Sequence, residues 1–402
     1  MGASAKDGSD DGERRKLFKH WFDQALVEDM AQTLLVSGGK RRFDAELFVA
    51  KCAGLDALEM SGRVGLIADA MKAAMGRTKT RDAMAVLVGS MAPMPEAGGQ
   101  TGELGQTMGE LGQTTGTTGS GYRYWPYGEF IGRYGLDDVD ASFEAMVELT
   151  KRFTSEFAVR PFLAADVDGM LVRMEALVDH PSQHVRRWLS EGTRSRLPWG
   201  KKVPSLGGAL ERRIALLSRL RFDEKRYVQR SIANHLQDIL KDDLERGLEV
   251  LRTWSREDHD GVKWLVKHAA RGLLKAGHPE VMELFGFASR DVHVRSFAVS
   301  PTECRIGESV TLVVTLENRG TADADGRVDF ALTSPTKTKK ESRKVFRWVD
   351  RRLSPGEVVA LETRHNLVHR TIRTVHPGRH RFEVLVNGTS GGEGVVEVRG
   401  AP

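Results

Sequence analysis

The sequence predicts a multidomain protein: an all-α helical-repeat solenoid followed by an all-β sandwich. Three observations predict it. From about Asp140 to Phe287, apolar residues recur at helical spacing in short segments. His180-Pro181, Asp223-Glu224, Glu257-Asp258 and His278-Pro279 punctuate them. Several segments open on similar phrases, H-V-R-R at His184, Y-V-Q-R-S-I-A-N-H-L at Tyr227 and V-K-W-L-V-K-H-A-A-R at Val262, at an interval of about forty residues. That is the mark of stacked, HEAT-like helix pairs, which bury their apolar faces only against neighbours. From Asp291 the period becomes two, as in Val310, Leu312, Val314 and Leu316, or Phe382, Val384 and Val386, with Ser354-Pro355-Gly356 and Pro377-Gly378 between runs. Such strands over about a hundred residues read as an immunoglobulin-like sandwich.

Residues 1–13 are polar and read as a disordered leader without the apolar stretch of a signal peptide. The helical domain is placed at 14–290. Leu17, Phe18, Trp21, Phe22 and Leu26 share a helix face, and further helices are expected near Phe43–Ala53, Met60–Met75 and Asp82–Val88. Residues 91–121 break the pattern with a tandem heptapeptide, G-E-L-G-Q-T-M then G-E-L-G-Q-T-T, and are expected to be a flexible insertion. Tyr122 to Tyr127 is an aromatic cluster that either packs a loop to the core or stacks bases. Helices follow from Asp140, at Val167–Val178, His184–Ser190, Leu210–Ser218, Lys225–Leu240, Leu244–Ser255 and Gly261–Lys275. The sandwich is placed at 291–402.

The 402 residues carry a formal charge of +5, which permits a nucleic-acid partner without demanding one. The stretch from Arg290 to Arg399 holds an excess of five basic residues, as large as that of the whole chain. Much of it lies in Lys337–Arg352, which includes Lys339 and Lys340, and in Arg370–Arg381. Two lone cysteines, Cys52 and Cys304, give neither a disulfide scaffold nor a cysteine zinc site. No apolar run nears the ~18–20 residues of a membrane span, so a cytoplasmic protein is expected. No metal-ligand spacing, nucleophile elbow, phosphate loop or dinucleotide fingerprint is present, and no cofactor or metal is expected.

The stretch from Glu156 to Trp199 departs from ordinary amphipathic helix. Glu156 stands among Phe153, Phe157 and Phe162, where a carboxylate needs a partner or a chemical role. It reads either as a surface glutamate paired with Arg152 or Arg160, or as a partly desolvated carboxylate that stabilises positive charge. Glu191, amid Arg186, Arg187, Arg194 and Arg196, reads as a local ion-pair partner of Arg187 or Arg194, or as a second functional carboxylate. Asp238 reads as a solvent-facing residue beside Lys241 or as a third. Trp199, after Pro198, is a core anchor or a presented aromatic. Arg186, Arg187, Arg194, Arg196, Lys267, His268 and Arg271 recur near helix starts, which favours phosphate contact over plain surface charge.

Longer phrases carry a resemblance. T-S-E-F-A-V-R-P-F-L from Thr154, H-V-R-R-W-L-S-E-G-T-R-S-R-L-P-W-G from His184 and K-R-Y-V-Q-R-S-I-A-N-H-L-Q-D-I-L-K-D from Lys225 resemble the AlkC branch of the HEAT-like-repeat alkylpurine DNA glycosylases. The resemblance covers about 14–90 and 122–290, and some members carry a C-terminal immunoglobulin-like domain. It implies a DNA-repair enzyme, a monomer on double-stranded DNA, that excises cationic N3-alkylated bases, chiefly 3-methyladenine and also 3-methylcytosine, without flipping them. Carried over by motif, Glu156 and Asp238 face the lesion deoxyribose with Glu191 nearby. Trp199 contacts the sugar, and Arg187 holds a phosphate. No lysine nucleophile is implied, hence a monofunctional enzyme. The rival expectations are a DNA-binding relative that excises nothing and a protein–protein scaffold on the same architecture.

Overall fold

The computed structural model describes residues 18–93, 121–338, 340–369 and 374–400. The expected leader, most of the 91–121 insertion with its tandem heptapeptide, Lys339 and Arg370 lie outside the described residues. The helical part runs α1 (Gln24–Gly38), α2 (Ala45–Lys51), α3 (Met60–Met75), α4 (Thr80–Ser90), α5 (Trp125–Tyr134), α6 (Val139–Thr150), α7 (Arg160–Ala165) and α8 (Val167–Glu175). It continues α9 (Gln183–Gly192), α10 (Ser205–Gly208), α11 (Leu210–Leu220), α12 (Arg226–Asp242), α13 (Leu244–Ser255), α14 (Asp260–Ala269), α15 (Arg271–Ala276) and α16 (Pro279–Leu284).

Local chemistry sets many of these boundaries. Asp23, Asp44, Asp138, Asp166 and Asp243 each accept a hydrogen bond from the backbone N–H three residues on, at 2.9–3.1 Å, and so start α1, α2, α6, α8 and α13. Several elements differ from the sequence reading, and α7, α10 and α16 stand where it places no helix. The aromatic cluster opens α5, with Pro126 in the first turn, where its missing N–H costs nothing. Its packing role holds, since Tyr122, Tyr124 and Tyr127 are buried. The single helix expected over Gly261–Lys275 divides at Ala270 into α14 and α15.

The change from helix to strand falls where the sequence places it, but the packing divides earlier. Among the described residues, those up to Asp242 together with His259–Leu265 form one compact unit. Asp243–Asp258 and the residues from Val266 onward form the other.

The second unit contains β1 (Val292–Ser300), β2 (Glu303–Arg305), β3 (Ser309–Asn318), β4 (Ala324–Pro335), β5 (Glu341–Leu353), β6 (Val358–Asn366), β7 (Gly378–Val386) and β8 (Thr389–Arg399). They form a three-stranded sheet, β1-β3-β6, and a five-stranded sheet, β2-β8-β7-β4-β5. Val310 and Leu312 of the first sheet meet Phe330, Leu332 and Phe382 of the second in one core cluster. The period-two residues of β3 are therefore the buried ones. Cys304 is buried and unbridged. Gly277 ends α15 with φ 68° and lies against Gly388, where a Cβ would come within 2.9 Å of the Gly388 Cα. Only glycine permits that approach of two backbones.

Candidate active site

The site lies within the first unit, where α9 packs on α12. Ser231 of α12 donates to Glu191 Oε2 at 2.6 Å, and His235 bonds the Ser190 carbonyl at 2.9 Å. At the end of α9, Gly192 is closely packed: a Cβ there would come 3.0 Å from Val159 Cγ1 and 3.3 Å from the Trp188 ring nitrogen. Thr193 caps the same end by donating to the Leu189 carbonyl at 2.7 Å.

Two arginines string three carboxylates together. Arg187 is ion-paired with Glu156 and lies 3.6 Å from Glu191. Arg194 donates to Glu191 Oε1 at 2.6 Å and to Asp238 Oδ2 at 2.8 Å. Glu156 stands in the turn before α7, and Thr154 donates to its Oε2 at 2.8 Å. Its ion-pair partner is Arg187, where the helix-spacing argument had offered Arg152 or Arg160. The reason is that residues 156–159 form a turn, so the four-residue helical neighbours do not stack. Glu191 pairs with both of its expected local arginines. Asp238 is only 2% exposed, which overturns its solvent-facing reading.

Burial pushes the Glu191 carboxyl up, but the charges of Arg187 and Arg194 and the bonds from Ser231 and Arg194 outweigh it and hold it below the ordinary carboxylate range. Burial likewise opposes the charge on Arg187 and Arg194, and the facing carboxylates more than restore it. The string carries one net negative charge, because three carboxylates face two guanidiniums.

Above it opens a cavity of about 430 Å³. Glu156, Glu191, Arg187 and Arg194 line it, together with Phe153, Phe157, Tyr227 and Trp199. Asp238 is not part of its wall: Arg194 lies on the wall and Asp238 holds Arg194. Phe157 stacks on Trp125 at 6.0 Å and 12° between planes, which fixes the aromatic side. Trp199 is 72% exposed, so its core-anchor reading does not hold. Its φ of 62° is rare for a bulky residue. The loop that carries it is held by buried Arg160, which donates to the carbonyls of Lys201 and of Arg194, the latter at 3.0 Å. Burial, with Arg213 nearby, lowers the Arg160 pKa to about 10.

The other expected contacts are scattered. Arg186 is clamped to Asp223 at 2.6 Å and to the carbonyls of His180 and Pro181. Arg196 pairs with Asp242 at 2.7 Å. In the second unit Lys267 pairs with Asp350 at 3.0 Å, and Arg271 donates to the His268 carbonyl. Lys340 is exposed at the β4–β5 hairpin. Sequence reasoning missed Tyr227, Arg230, Ser231 and Asn234, all on the cavity wall. Their spacing of three, four and seven residues, which puts them on one face of a helix, is the signal that was available.

The chain resembles known proteins along most of its length. The family model described as "Uncharacterised protein YhaZ, C-terminal Ig-like domain" matches residues 293–400. The uncharacterized protein YhaZ of Bacillus subtilis (strain 168) is 32% identical over 261 residues, 65% of this chain and 72% of that protein. The alkylpurine DNA glycosylase AlkC of Pseudomonas fluorescens, solved bound to DNA containing an abasic site analog, superposes with a TM-score of 0.81 at 27% identity. That superposition covers 95% of this chain and 99% of AlkC. The chain belongs to the family of YhaZ and AlkC. Helices followed by an Ig-like β-domain are thus the architecture of this chain. Among the described residues no helix is long and apolar enough to cross a membrane, and no cluster of potential metal ligands occurs.

Proposed function

We propose that this chain is a DNA base-excision repair glycosylase that hydrolyses the N-glycosidic bond of cationic N3-alkylated bases, 3-methyladenine and 3-methylcytosine, in double-stranded DNA. The observation that carries this reading is the string Glu156–Arg187–Glu191–Arg194–Asp238, one charge short of neutrality, beneath a cavity edged by an exposed tryptophan. The likeness to AlkC supports it.

An N3-alkylated base is positively charged, so its glycosidic bond is weakened and its departure needs little general acid. What must be stabilised is the sugar cation left behind and the attack of water on it. A pre-oriented carboxylate does both. Glu156 is suited to it: Thr154 and Arg187 both bond its Oε2, and among the described residues Oε1 carries no hydrogen bond. Glu191 has both oxygens engaged and contributes field rather than base. Asp238 acts through Arg194, as a positioning residue. Trp199 offers a π-face to the cationic nucleotide, worth roughly 0.5–2 kcal/mol. No lysine nucleophile enters, so the reaction stops at the abasic site. The protein acts as a monomer and keeps the lesion in the stack.

The test is release of free 3-methyladenine from methylated duplex, comparing wild type with Glu156→Gln. Release that falls about a hundredfold in the variant supports the reading, that being the usual scale for losing one such electrostatic group. Salt-sensitive DNA binding with no release by wild type would assign the chain to the non-catalytic DNA binders.

A further inference from the structure

We infer that Arg230, and not Arg187, holds a backbone phosphate of the DNA at this cavity, an assignment that rests on DNA being the partner in the proposed function.

The cations on the cavity wall differ in what already neutralises them. Lys151 and Arg152 face Glu148. Arg187 lies between Glu156 and Glu191, and Arg194 between Glu191 and Asp238. A phosphate drawn to Arg187 would meet two carboxylates bound to the same guanidinium, and like charges at such range repel strongly where water is scarce. Arg187 also keeps little access, with a side chain 18% exposed.

Arg230 is placed differently. It lines the same cavity and is half-buried. Among the described residues it has no hydrogen bond and no ion pair. It stands one turn after Tyr227 and one turn before Asn234, on the face of α12 that forms the wall. Val228 and Ile232 on either side are fully buried, so the backbone that carries it is fixed. The adjacent Ser231 holds Glu191, which ties Arg230's position to that of the carboxylate string. A guanidinium with its donor fork unfilled, anchored beside a site for a cationic base, suits one chemistry above others: bidentate recognition of a phosphate oxygen pair. It also separates two tasks. The carboxylates keep their excess negative charge for the cationic lesion, while Arg230 takes the polyanion.

The experiment is fluorescence anisotropy of a labelled duplex carrying an abasic-site analogue, titrated with the full chain at a series of salt concentrations. The proteins compared are wild type, Arg230→Gln, Arg230→Lys and Arg187→Gln, with a thermal melt of each as the folding control. Loss of one phosphate contact lowers the slope of log affinity against log salt by about 0.9. That decrease is expected for Arg230→Gln, with affinity weakened about tenfold at low salt and an unchanged melt. Arg230→Lys keeps the wild-type slope. Arg187→Gln changes the slope less than Arg230→Gln does. A wild-type slope in Arg230→Gln, or the full decrease in Arg187→Gln instead, overturns the assignment. The slope reads phosphate contact whether or not a base is released, so absence of glycosylase activity would sink the catalytic reading alone.

Discussion

Arg194 donates its Nε–H to Asp238 Oδ2 at 2.8 Å, and the acid stands behind the arginine instead of on the cavity wall. Asp238 is 2% exposed and Arg194 8%. Such a pair is worth little net stability, because burying both charges costs about what their attraction returns, yet removing one partner strands the other. Asp238→Ala is therefore expected to lose roughly 3–5 kcal/mol in urea denaturation. Asp238→Asn keeps a hydrogen-bond acceptor for Arg194 and is expected to lose less. Equal losses in the two variants would mean that the charge of Asp238, and not its hydrogen-bond acceptor, holds Arg194, and no loss in Asp238→Ala would mean that Arg194 does not depend on this partner.

Glu156 and Glu191 differ in how completely they are bonded, and their amide variants should separate accordingly. In single-turnover excision at saturating protein, Glu156→Gln is expected to slow the reaction about a hundredfold while the urea midpoint moves little. Glu191→Gln disrupts bonds from Arg194 and Ser231 at once. It is expected to lower the midpoint as well as the rate. A Glu191→Gln protein with wild-type stability would argue that the α9–α12 contact does not need this charge.

Trp199 is exposed at a positive φ, so nothing in the fold depends on its side chain. Trp199→Ala is expected to stay within about 0.5 kcal/mol of wild-type stability. Its excision rate should fall by a factor of roughly 2–30, the scale of one cation–π contact. Trp199→Gly suits the backbone better and is expected to be at least as stable as the alanine variant, since glycine reaches φ > 0 without strain. Undiminished excision by both variants would remove Trp199 from the site.

His235 is fully buried between the Ser190 carbonyl, to which Nδ1 donates, and Arg213, which donates to Nε2. Burial, with the nearby charges of Arg213 and Arg194, holds its pKa well below the ordinary value of 6.5. The folded protein thus keeps the ring neutral where the unfolded chain takes up a proton. Stability rises with pH wherever the unfolded state binds more protons, so this contribution is present above pH 6.5 and is lost as pH falls below it. The melting temperature is expected to drop from pH 7 to pH 5, and His235→Gln, which cannot titrate, should show a shallower drop. An identical pH dependence in both proteins would locate the titration elsewhere.

Most of the longer helices were readable because each is an amphipathic segment with its own start and stop. The aspartates that cap α1, α2, α6, α8 and α13 act on the backbone three residues away. The strands were readable because the buried face of β3 repeats every second residue. Misreadings arose where a local rule met a different backbone. The aromatics around Pro126 pack into the core as read, but they suggested a loop, and proline in the first turn is compatible with α5. Glu156 was offered helical partners four residues away, but it lies in a turn.

The site divides in the same way. By itself the sequence determined which chemistry the chain carries: three acids, the arginines among them and a tryptophan in a proline turn, in phrases specific enough to indicate a family. Only the tertiary structure decided which charge answers which. Arg187 meets Glu156 across 31 positions, and Arg194 meets Asp238 across 44. Pairings at such separations depend on how α9 packs against the turn before α7 and against α12. The same stacking placed Asp238 behind Arg194, left Trp199 in solvent, and set Arg230 on the cavity wall among cations that carboxylates already neutralise. Spacing along one helix fixes which residues share a face, but the dielectric and the partners of that face are set by whatever packs against it.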